Sequence, residues 1–183
     1  VHVHEFGHML GLPDQYGRNH ATGIGKWCTM AVGHMGGGES GPHRPFHLCV
    51  WCKDQLGWIK IVPVKPSDGQ WLKLPAIERE ATAIRILLSP DGSDSLLLEN
   101  RQRLGFDSDL EGTGLLIWRG RRGAVDLIES HGKKLSNASL VEPDQIPWPS
   151  LYNRDYTPAT APESPEGVYV VDIAQQEGVA YFK

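Results

Sequence analysis

The sequence predicts an α+β chain in two parts: a helical part over residues 1–62 and a mainly antiparallel, sandwich-like β part over residues 63–183. Three observations predict it. Apolar residues recur at helical spacing near the start and again near residue 50. Seven of the eight His and all three Cys precede residue 53, so the chemistry-bearing side chains belong to one part. Beyond residue 69, short apolar runs alternate with turn residues, which is the signature of an antiparallel sheet.

The elements follow in order. Val3 to Leu12 reads as a helix with Phe6, Met9 and Leu10 as its apolar stripe. Gly11 supplies a C-cap and Pro13 prevents continuation. Gly17–Gly41 is glycine-rich and reads as loop. A second helix is predicted from Pro45 to Leu56, where Phe46, Cys49, Val50 and Leu56 share a face and Gly57 ends it. The stretch Pro63–Gly69 marks the boundary. Strands are predicted at Trp71–Ile77, Thr82–Ser89, Ser95–Gln102, Gly114–Trp118, Ala124–Ile128 and Val168–Ala174. Residues 131–166 carry six of the thirteen prolines and little periodicity, so they read as a long irregular excursion.

Composition excludes several function classes. With 18 Lys+Arg against 22 Asp+Glu the net charge is −4, which lacks the basic footprint of a nucleic-acid binder. No apolar run approaches the roughly 18–20 residues of a membrane span. The chain opens at Val1 directly on its most chemically loaded stretch and closes behind an apolar run, which predicts a piece of a longer protein.

That stretch is His4-Glu5-Phe6-Gly7-His8-Met9-Leu10-Gly11-Leu12-Pro13-Asp14. On a helix His4 and His8 lie one turn apart on one face, so both imidazoles can converge on one Zn²⁺. Glu5 is rotated by about 100° from His4, which sets it beside the ion as a general base and not as a ligand. Gly11 permits a left-handed turn that brings Asp14 beneath the metal as a third ligand. Three protein ligands leave one position open, the arrangement of a catalytic site. The spacing therefore predicts hydrolysis by a water that the metal activates, with Glu5 taking its proton.

HEFGHMLGLPD resembles the active-site signature of the immune inhibitor A family of secreted zinc metallopeptidases. Lys26-Trp27-Cys28-Thr29-Met30 is similar to that family's Trp-x-x-Met segment, and Trp51–Ile59 to its Trp-x-Lys-x-x-Leu-Gly-Trp helix end. Leu98–Asp107 and Gly114–Trp118 resemble its downstream strands, so the likeness spans about residues 3–130. The resemblance implies the C-terminal part of a zincin-like, metzincin-related catalytic domain with His4, His8 and Asp14 as zinc ligands and Glu5 as base. It also implies Met30 as a Met-turn beneath the metal, a secreted protein, and a protein or peptide substrate held in extended form by a strand upstream of Val1. The chain departs from the family pattern at Gly17, where Asp commonly follows Tyr16, at Arg119, where His is common, and at Glu111, where Pro is usual. An alternative is a noncatalytic, zinc-stabilised binding module; another is a structural β domain whose site has decayed.

Weaker signals complete the reading. Cys28 is a candidate to pair with Cys49 or Cys52, with buried free thiols as the alternative. Asp107, Asp109 and Glu111 begin like a calcium loop, although Trp118 stands where an EF-hand places its last glutamate. Asn137-Ala138-Ser139 is a sequon read as chance. His2, His20, His34, His43 and His47 lack one-turn spacing to His4 or His8 and read as surface loop residues, with His20 the substitute for Asp14.

Overall fold

The computed structural model describes residues 1–16, 24–39, 41–65, 69–121, 124–131, 146–161 and 167–183. Their fold is sheet-rich and mostly antiparallel, with two short α-helices, α1 (His2–Met9) and α2 (Val50–Gln55). Five strands form one sheet in the order β1 (Lys60–Val64), β3 (Thr82–Leu87), β4 (Asp94–Arg101), β5 (Gly114–Arg121), β6 (Ala124–Ile128). β1 runs parallel to β3 and every other pairing in it is antiparallel. A smaller antiparallel sheet joins β2 (Leu72–Leu74), β8 (Val179–Phe182) and β7 (Ala174–Gln176). No helix among the described residues is long and apolar enough to cross a membrane.

The central strands explain why apolar residues run consecutively along β4 and β5. Successive side chains leave a strand on opposite faces. Leu97, Leu116 and Trp118 enter a core shared with Trp27, Met30, Phe46, Val50 and Trp51. Leu96, Leu98, Leu115 and Ile117 enter a second core with Trp148, Tyr156, Ala180 and Phe182. The five-stranded sheet is thus a middle layer, buried on both sides.

Several predicted elements shift. α1 ends at Met9, and Gly11 takes the left-handed φ of 92° that the turn requires. Its stripe of Phe6, Met9 and Leu10 faces solvent, while His4 and Gly7 are buried, so α1 is seated by its histidine face. α2 starts at Val50, five residues later than Pro45, because residues 41–49 are spent on a 3-10 turn (Gly41–His43) and a stretch without regular structure. The glycine-rich loop is partly 3-10 turns, Gly25–Trp27 and Val32–Met35. The boundary expected at residue 63 falls inside β1, and the first core runs across it. The expected strand Val168–Ala174 holds a bridge between Val170 and Tyr156 and reaches β7 only at its last residue, Ala174, with β8 beyond. Boundary residues 66–68, Gly17, His20, the sequon at Asn137 and most of the 131–166 excursion lie outside the described residues.

A buried ion network ties the two parts together. Arg101 on β4 is fully buried and donates through Nε to Asp107 (2.8 Å) and Glu78 (3.2 Å), and through Nη1 to the Trp27 carbonyl (3.1 Å). Burial pushes the Glu78 carboxyl up to about 8 from an ordinary 4.5, against the pull of Arg101. The folded chain therefore keeps a proton that the unfolded chain releases. The contribution of Glu78 to stability is fullest below 4.5 and falls as pH rises through about 8. The loss is at most about 1.4 kcal/mol per pH unit for one proton. Glu78→Gln is expected to flatten this slope, read as the urea midpoint between pH 5 and 8; an unchanged slope would assign the titration elsewhere.

Candidate metal centre

Helix α1 is anchored by the residues that carry its chemistry. His4 Nδ1 donates to the Thr29 carbonyl at 2.9 Å and His8 Nδ1 to the Leu12 carbonyl at 2.8 Å. A carbonyl oxygen only accepts, so each Nδ1 carries a hydrogen, which leaves Nε2 as the nitrogen of each ring that can serve as a ligand. Those two Nε2 atoms lie 3.2 Å apart. Asp14 Oδ1 is 3.1 Å from the Nε2 of His4 and 3.3 Å from that of His8.

Three potential ligand atoms thus face one point. With Zn–N and Zn–O near 2.0–2.1 Å, the edge of a tetrahedral site is about 3.3 Å. The three distances found here match that edge, so the donor set fits Zn²⁺ in size and in chemistry. Carbonyl partners on the outer nitrogens are the usual support of metal-bound histidines.

Met30 is fully buried, and its Sδ packs against Gly7 of α1. A Cβ on Gly7 would stand 2.4 Å from that sulfur and 3.1 Å from the Met30 methyl. The glycine between the two histidines is therefore what lets the helix settle on Met30. Gly7→Ala is expected to cost about 1–3 kcal/mol by overpacking and to weaken metal binding with it, read by urea unfolding and zinc titration. Unchanged stability would mean that Met30 simply moves aside.

Tyr16 and His34 also belong to this region, and neither was singled out by spacing. The His34 ring lies 4.9 Å from that of His4, and the Tyr16 ring 5.7 Å. His34 Nδ1 is 2.7 Å from the Ala31 carbonyl and 3.1 Å from the Tyr16 hydroxyl. Since Ala31 O only accepts, Nδ1–H is shared, and the Tyr16 hydrogen stays available to another acceptor. Burial, then the Asp14 and Glu5 carboxylates, raise the Tyr16 hydroxyl above its ordinary range. Glu5 is exposed on α1 and lies within electrostatic range of the Tyr16 hydroxyl. The reading of His34 as a surface loop residue gives way to a place beside His4.

The other candidate ligands are committed differently. Asp107 is buried on Arg101 and accepts from the His47 backbone N–H at 2.9 Å. Asp109 faces Arg44 at 3.5 Å and Glu111 pairs with Lys26 at 2.5 Å. Each carboxylate of the expected calcium loop answers a different cation, and the three do not converge among the described residues. Cys28, Cys49 and Cys52 are unbonded and fully buried, with their three sulfurs within 4.8 Å of one another. That cluster could bind a metal, and of the two alternatives for Cys28 the buried free thiol is the one found.

No protein-family model, no curated protein and no solved structure matches this chain.

Proposed function

We propose that the chain carries the metal-binding and catalytic residues of a zinc-dependent endopeptidase, within a zincin-like catalytic domain of the immune inhibitor A type. One observation carries the reading: three potential ligand atoms, two imidazole Nε2 and one carboxylate oxygen, gathered at the edge lengths of a tetrahedral zinc site. A bound Zn²⁺ would supply Lewis acidity toward a scissile carbonyl and lower the pKa of water towards about 7.

His4, His8 and Asp14 hold the ion, and the Thr29 and Leu12 carbonyls fix the ring orientations. Glu5, one residue beyond His4 on the open side of the helix, accepts the proton of the attacking water and returns it to the departing amine. Tyr16, kept protonated, is a donor beside the site. Met30 sets the depth of α1 through Gly7, the role of a Met-turn. The substrate is a protein or peptide and the protein is secreted, both on the strength of the family resemblance.

The test is casein cleavage by the protein at its full length, with and without a chelator. Cleavage that stops on chelation and returns with zinc supports the peptidase. Stoichiometric zinc without cleavage overturns it in favour of a zinc-stabilised binding module.

A further inference from the structure

We propose that Cys28, Cys49 and Cys52 form a second, separate metal site, a buried trithiolate for one thiophilic ion of the Zn²⁺ class. The proposal concerns different residues from the peptidase reading and does not rest on it.

Convergence comes first. Cys28 arrives from the loop before Met30, and Cys49 and Cys52 from the start of α2, yet all three side chains are fully buried with their sulfurs within 4.8 Å of one another. Cys28 Sγ and Cys52 Sγ are 3.7 Å apart. With Zn–S near 2.3 Å, a tetrahedral edge is about 3.8 Å.

The polarity around Cys28 is the second observation. Its sulfur accepts the backbone N–H groups of Met30 at 3.4 Å and Cys49 at 3.3 Å. Backbone donors of this kind stabilise a coordinated thiolate and are poorly spent on a thiol that only fills space.

An ion there would staple the Cys28–Thr29–Met30 segment, whose Thr29 carbonyl orients His4 and whose Met30 sulfur seats Gly7.

Cobalt loading tests this on the full chain under reducing conditions. His8→Ala with Asp14→Ala disables the first site. That double variant is expected to bind one Co²⁺ with the near-ultraviolet thiolate-to-cobalt absorption, and adding Cys52→Ser is expected to abolish the band. The unsubstituted chain provides a check that needs no variant: after zinc loading its thiols should resist alkylation until a chelator is added. Cobalt bound without the thiolate band, or alkylation at the same rate with and without chelator, overturns the trithiolate site. Either result leaves the casein assay untouched, so the two readings fail separately.

Discussion

Glu5→Gln in the protein at its full length is expected to retain zinc and to lose about 10²–10⁴-fold in kcat, the usual contribution of a positioned general base. The amide copies the shape of the carboxylate and cannot accept a proton. Glu5 is exposed and none of the ligand atoms belongs to it, so neither folding nor metal loading depends on it. Stability is accordingly expected to change by no more than about 0.5 kcal/mol. Three readouts decide the matter together: zinc by elemental analysis, the urea midpoint, and kcat on an unstructured peptide. Zinc retained with turnover retained would take Glu5 out of the mechanism. Zinc lost along with turnover would make it a structural residue.

The convergence of His4, His8 and Asp14 was legible because its geometry is local. One helical turn separates His4 from His8, and one left-handed glycine at φ 92° returns Asp14 to them. Spacing alone encodes such an arrangement. Tyr16 and His34 were not legible as partners, since they stand 18 positions apart in the chain. The three cysteines were visible as a group, but only the packing of α2 against the Cys28 loop shows all three sulfurs converging. Periodicity misled at α1. Phe6, Met9 and Leu10 have the spacing of a core stripe, yet they point outward, because two hydrogen-bonded imidazoles and a glycine on Met30 fix the rotation of the helix. The strands of the five-stranded sheet were legible from their apolar runs, except β1, where two prolines near residue 63 argued for a linker. Pro63 is tolerated there because β1 is an edge strand. The supposed calcium loop failed for a long-range reason: Asp107 belongs to Arg101, and its companions belong to Arg44 and Lys26.

Arg101→Leu is expected to cost about 3–5 kcal/mol, the penalty for removing one partner from a buried ion network. The guanidinium is fully buried and its partners come from three separate stretches of chain: Glu78, Asp107 and the Trp27 carbonyl. Leucine satisfies none of them. Burial works to raise the Asp107 carboxyl, and Arg101 is the first group that brings it below its ordinary range. Without Arg101 that carboxylate must protonate or draw in water, and the Trp27 carbonyl loses its donor. The surface pair Lys26–Glu111 is the contrast, with both side chains more than two-fifths exposed. Lys26→Ala is expected to cost less than about 1 kcal/mol, because solvent already screens that pair. The damage at Arg101 should also travel, since Trp27 precedes Cys28 and the Thr29 carbonyl that orients His4. Zinc affinity at His4, His8 and Asp14 is therefore expected to fall by about 10–100-fold, the usual result of loosening the groups that hold metal-ligating histidines. Urea unfolding and zinc competition titrations measure the two effects. A variant as stable as the parent would show the network to be dispensable. A destabilised variant with unchanged zinc affinity would show that the sheet and the metal centre are mechanically independent.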